Sequence, residues 1–154
     1  TPVMGVVYVP ETGELFSARA DGEAYENDVR IATTDRTALD ESMMLSGYDP
    51  DGSFLSHFYQ ESRGVRRLGC AALHLCYLAS GTVDAVWEFD TYPWDVAAGV
   101  CIARAAGATI TDEEGNPYEI TLETEKRRAL LGSNGPLHDE LLCHLETADA
   151  EVTG

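Results

Sequence analysis

"VDAVWEFDTYPWDVAAGVCIARAAG", Val83–Gly107, holds a strand and a helix end to end. Val83 to Phe89 is rich in β-branched and aromatic residues and reads as a strand. Pro93 to Ala106 reads as a helix, with proline near its first turn, where a missing N–H costs nothing, and Gly107 as its stop. A strand feeding directly into a helix is the unit of an α/β layer. Two acids stand at the junction. Asp95 falls in the first helical turn, where a carboxylate meets unpaired N–H groups and the positive helix end, a stabilisation of roughly 0.3–1 kcal/mol. The same position suits a hard-metal ligand, with Trp94 fixing the backbone and excluding water. Glu88, near the strand end, is either an exposed terminal charge or an acceptor for substrate hydroxyls.

The same unit recurs outward. Gly64-Val65-Arg66-Arg67-Leu68 is a strand candidate leading into Gly69. The helix that follows carries an apolar stripe, Ala71, Ala72, Leu75, Cys76, Leu78 and Ala79, and ends at Gly81. Ser42 to Ser46 is a short strand, Phe54 to Tyr59 has helical spacing, and Ala108 to Thr111 is a strand closed by a turn over 112–117. Ala129 to Ser133 is the last strand and Pro136 to Glu146 the last helix. The expected fold class is α/β, a mixed sheet flanked by helices. Ahead of it, Val6 to Val9 and Glu14 to Arg19 form a β-hairpin around the turn Pro10-Glu11-Thr12-Gly13, and 23–31 holds further short extended pieces. A two-stranded ribbon is marginal alone, and the chain enters directly as a strand, as if joined in its middle. The expected organisation is a hairpin remnant of an N-terminal domain over 1–38, an α/β domain over 39–147 and a disordered tail over 148–154.

The 154 residues carry 27 acids against 10 bases, a formal charge of -17. Such a surface repels nucleic acid. No apolar run approaches the roughly 20 residues that span a bilayer, so no membrane partner is expected. Lys126 is the sole lysine. An acidic surface this poor in lysine favours adaptation to a salt-rich cytoplasm, where a Debye length of about 3 Å at 1 M screens self-repulsion. Four cysteines, at 70, 76, 101 and 143, show no C-x-x-C spacing, a reduced, cytoplasmic pattern rather than a disulfide framework or zinc site.

The junction Leu68-Gly69-Cys70-Ala71-Ala72 repeats the architecture around Asp95. Small residues there let a ligand approach the amides of a helix start, as phosphates do. One glycine is equally explained by a tight turn. Two junctions in neighbouring βα units would both lie at the carboxyl ends of strands, where open α/β sheets bind ligands.

Gly69–Glu88 (GCAALHLCYLASGTVDAVWE), followed by Pro93–Gly99 (PWDVAAG) and Ala105–Asp112 (AAGATITD), resembles the C-terminal half of the inositol monophosphatase family. The superfamily also contains fructose-1,6-bisphosphatases and phosphoadenosine phosphatases. The resemblance runs from about residue 3 to 146 and is densest over 66–112. It implies the C-terminal part of a layered α/β/α/β/α sugar-phosphatase fold, with the hairpin as the last strands of the preceding domain. It also implies a Mg2+ cofactor with Asp95 as a metal ligand, substrate contacts at Gly69, Cys70 and Ala71, and Glu88 bonding substrate hydroxyls. Position 70 is commonly Ser or Thr in the family, so Cys70 lacks the usual hydroxyl. The implied chemistry is attack of a metal-activated water on a phosphate ester, either inositol monophosphate or fructose 1,6-bisphosphate. The implied partners are a small phosphorylated sugar or polyol and a second copy of the chain.

The family's other metal ligands, a Gly-Glu-Glu-type and an Asp-Pro-Ile-Asp-Gly-Thr-type motif, are not found at their expected place. Asp49-Pro50-Asp51-Gly52-Ser53 imitates the second but is one residue short and reads as a turn. The expectation is therefore half an enzyme, inactive alone. The competing expectation is a metal-free, non-catalytic domain that folds and dimerises. His74 and His144 read as packing residues on their helices, and His57 and His138 as lacking a partner at useful spacing.

Overall fold

The computed structural model describes the backbone of residues 1–121 and 128–153, with side chains through residue 147. Its first strands are amphipathic ribbons. β1 (Met4–Val9), β2 (Glu14–Arg19), β3 (Ala24–Glu26) and β4 (Val29–Ile31) pair antiparallel in chain order. The expected hairpin is present, and the short extended pieces at 23–31 enlarge it to four strands. Phe16, Ala18 and Ala24 are buried on one face, while Met4, Val6, Tyr8 and Leu15 are exposed. The register sets Val6 opposite Ser17 and Tyr8 opposite Leu15, so the exposed apolar groups share the outer face.

A five-stranded sheet follows in the order β6-β5-β7-β9-β8. β5 (Met43–Ser46) lies parallel to both β6 (Gly64–Arg66) and β7 (Ala85–Thr91). β9 (Arg128–Ser133) runs antiparallel to β7 and to β8 (Thr109–Thr111). This is the mixed sheet expected. Period-two alternation divides its core. Val86 and Leu130 pack with Leu75 and Leu78 of α2 (Ala71–Ala79) and Val96, Val100 and Ile102 of α3 (Pro93–Ala105). On the other face, Met44, Ala85, Trp87 and Leu131 pack with Phe54 and Phe58 of α1 (Ser53–Glu61) and Leu141 and Leu145 of α4 (His138–Thr153). The far side of α3 meets the first sheet, with Gly5 of β1 against the Ala98 backbone. The layers run α1/α4, five-stranded sheet, α2/α3, four-stranded sheet.

Several details differ from the sequence expectation. β6 stops at Arg66 instead of Leu68, and a single 3-10 turn at Leu39–Glu41 precedes β5. α4 extends past Glu146 to Thr153, covering the backbone of most of the tail expected at 148–154; Gly154 lies outside the described residues. Two histidines read as partnerless do have partners. His57 Nε2 lies 2.8 Å from His144 Nδ1, bridging α1 and α4. His138 sits between Ser133 Oγ (2.8 Å) and Thr111 Oγ1 (3.0 Å). All three contacts join residues from different elements, which local spacing does not reveal.

The Asp49-Pro50-Asp51-Gly52 loop is the turn expected. Asp51 Oδ1 accepts the Ser53 N–H and Asp49 Oδ2 the Leu55 N–H, each at 2.9 Å, so both carboxylates serve the start of α1. Asp84 ties the segment after β4 to the second sheet. Its buried carboxylate accepts the Thr34 hydroxyl (2.6 Å), the Arg36 guanidinium (3.3 Å) and the Met43 N–H (2.8 Å).

Candidate active site

The parallel strands β5, β6 and β7 all present their carboxyl ends at the same edge, and the chain segments leaving them enclose an open cleft of about 540 Å³. Gly47 and Tyr48 enter it after β5, Arg67 and Gly69 to Ala72 after β6, and Glu88 to Thr91 with Trp94 and Asp95 at and beyond the end of β7. All five residues singled out from sequence, Gly69, Cys70, Ala71, Glu88 and Asp95, line this one cleft. A second hollow of about 600 Å³, floored by Phe54, Trp87 and Phe89 beside α1 and α4, contains none of the five.

Each residue is delivered by local geometry. Gly69 adopts φ +78°, a left-handed turn that L side chains resist, and turns the chain from β6 into α2. Cys70 is the extended N-cap of α2; it makes no side-chain cap bond and its thiol is exposed. The first turn of α2, with Ala71 and Ala72, thus lines the cleft without a side-chain cap from residue 70. On β7, alternation sends Val86 and Glu88 to the α2/α3 side and Ala85 and Trp87 to the other. The ladder with β9 shifts register between Glu88 and Thr91, and Asp90 takes φ +63° there. A bulge of this kind re-aims the side chains at a strand end.

Glu88 is 3% exposed, so it is not the exposed terminal charge that a strand-end position suggests. Its Oε1 meets His74 Nδ1. Its Oε2 lies against Gly47, where any β-carbon would collide with it. Asp95 does cap its helix: Oδ2 accepts the Tyr92 N–H at 3.0 Å. Capping and cleft lining coexist in that side chain. Trp94 corrects an expectation, since it is 64% exposed and stacks on Tyr92 at 4.7 Å instead of sealing out water.

The cleft's acids are Glu88, Asp90 and Asp95, and its one base among the described lining residues is Arg67, which lies over the Tyr48 ring at 5.7 Å. Sequence reasoning did not single out Gly47, Tyr48, Arg67 and Asp90 of the lining, nor His74 behind it. A polar His74 within an otherwise apolar helical stripe was the available signal for the last. As for a metal, no group of three or more His, Cys, Asp or Glu able to hold an ion occurs among the described residues. Asp95 is a suitable hard oxygen donor of the kind magnesium takes, since that ion keeps several waters and is held by one or two carboxylates together with substrate phosphate. Among the described residues, no helix is long and apolar enough to cross a membrane.

Comparison with known proteins gives a consistent picture. A family model described as the inositol monophosphatase family matches residues 1–150. An inositol-1-monophosphatase from Synechocystis is 35% identical over 91% of the chain and 50% of its own length. A fructose-1,6-bisphosphatase/inositol-1-monophosphatase from Thermotoga maritima is 31% identical over 98% of the chain and 58% of its own. The solved inositol monophosphatase of Anabaena superposes with a TM-score of 0.87 at 34% identity, covering 96% of this chain and 60% of that one. The chain thus spans about half the length of the curated relatives it matches.

Proposed function

The chain belongs to the inositol monophosphatase family, and from that premise we propose that it is the C-terminal part of a magnesium-dependent phosphate monoester hydrolase acting on inositol monophosphate or fructose 1,6-bisphosphate. The observation that carries the reading is that Gly69, Cys70, Ala71, Glu88 and Asp95 share one cleft at the carboxyl ends of three parallel strands. The roles follow from chemistry. Asp95 supplies one hard oxygen to the metal and the remaining ligands come from outside these 154 residues. The amides at the start of α2 meet the phosphate, and Glu88 accepts hydrogen bonds from the polyol hydroxyls. The bound magnesium supplies charge neutralisation on the ester. The same proposal makes 1–38 part of a preceding domain. It sets the complete protein, as a homodimer, in a salt-rich cytoplasm, a setting consistent with the charge of -17.

The test is phosphate release from both esters, with magnesium in high potassium chloride, by the 154-residue chain and by the full gene product. The expected outcome is none from the chain and turnover from the full product. Turnover by the chain alone would overturn the division of ligands. A full product inert on both esters would overturn the phosphatase reading and favour the non-catalytic domain.

A further inference from the structure

His74 is fully buried in α2, in an apolar stripe where a leucine would pack without any polar demand. Both its ring nitrogens are used. Nε2 takes the Leu68 backbone N–H at 3.1 Å, and Nδ1 meets Glu88 Oε1. An amide N–H can only donate, so Nε2 is the bare, accepting nitrogen. The ring's hydrogen is thereby assigned to Nδ1, which donates it to the Glu88 carboxylate. Leu68 immediately precedes Gly69, Cys70 and Ala71, while Glu88 ends the regular part of β7. One buried ring therefore joins the turn at the start of α2 to the carboxylate across the cleft. On the far flank of Glu88, Gly47 offers only backbone, so the imidazole is the polar group that fixes the carboxylate's direction.

We infer that His74 is a positioning residue: the relay from the Leu68 N–H through His74 to Glu88 sets the spacing between the two halves of the cleft. What those halves bind rests on the phosphatase reading; the relay itself does not. With that reading, His74 holds the hydroxyl-accepting carboxylate in register with the phosphate-facing amides, and so tunes polyol selectivity without touching substrate.

Two measurements test it. Long-range 1H–15N imidazole spectra of the labelled 154-residue chain are expected to show His74 as the Nδ1–H tautomer, assigned by its loss in His74→Asn. An Nε2–H or doubly protonated ring overturns the relay. Kinetics of the magnesium-loaded full gene product then compare inositol 1-phosphate with para-nitrophenyl phosphate, which has no hydroxyls for Glu88 to receive. His74→Gln keeps an acceptor near Leu68 but loses the donor to Glu88, and is expected to raise the KM ratio of the two substrates about tenfold. His74→Asn carries an amide nitrogen where Nδ1 stood but no acceptor for the Leu68 N–H, and is expected to bring the ratio only part of the way back to the wild-type value, since the join to Leu68 stays broken. A parallel loss on both substrates, or no recovery with Asn, leaves only a packing role and overturns the inference. If the wild-type product hydrolyses neither ester, the phosphatase reading fails and the spectrum alone decides the relay.

Discussion

Gly47 leaves no room for a side chain, because a β-carbon there would overlap the Glu88 carboxylate and sit 3.0 Å from its Cδ. Gly47→Ala is expected to push Glu88 out of its place and cost about 1–3 kcal/mol, the usual penalty of overpacking. Urea titration of the folded chain measures it, and an unchanged midpoint would mean that Glu88 moves freely. The cysteines divide as sharply. Burial pushes the Cys76 thiol from its ordinary value of 9.0 up to about 12, while Cys70 and Cys143 are exposed. Native alkylation near pH 8 is expected to label Cys70 and Cys143 and spare Cys76 and Cys101, read by peptide mass. The sign for stability follows: a thiol that keeps its proton longer when folded contributes stability that is intact below pH 9 and lost as pH rises toward 12. At this scale Asp95 and Glu88 were legible because each stands in a run of specific residues. Gly47 was not, because its partner comes from another strand and nothing in local spacing announces it, and His74 left only the signal of one polar residue in an apolar stripe, with no hint of its partner.

Elements are joined by a few buried polar centres. Asp84 binds the Thr34–Arg36 segment to the start of β5. Asp84→Ala strands the Thr34 hydroxyl and the Met43 N–H and loses an ion pair whose Arg36 side chain is 36% exposed and screened by solvent, so a loss of about 1–3 kcal/mol is expected in denaturant melts. His138, between β8 and β9 at the start of α4, is held below its ordinary 6.5 by burial, against a smaller opposing pull from Asp139. The unfolded chain then binds a proton that the folded chain refuses. Stability is expected to decline as pH falls below 6.5 through that histidine, and His138→Gln is expected to flatten the decline between pH 6.5 and 5. An unchanged slope in the variant would assign the decline to other groups. Most elements here were legible because strand alternation and helical stripes are local signals. β3 and β4 were read only together, as short extended pieces over 23–31, and the 3-10 turn at Leu39–Glu41 was not read at all, each being too short for periodicity to register.

The whole molecule carries -17 charges on 154 residues, a self-repulsion that added salt relieves. The thermal midpoint is expected to rise between 0.1 M and 2 M potassium chloride; a flat or falling midpoint would detach the composition from any salt adaptation. Sheet order was beyond the sequence at this scale, since register across β6-β5-β7-β9-β8 depends on which apolar faces meet. The outer face of the first sheet, with Met4, Val6, Tyr8 and Leu15 open to solvent, gives salt a second and opposite effect. In dilute buffer, like charge keeps neighbouring molecules apart and the greasy row stays idle. Once ions mask that charge, the row becomes the stickiest part of the surface. The same brine that firms up each copy thus moves the solution toward colloidal attraction, visible in light scattering as a second virial coefficient passing from positive to negative.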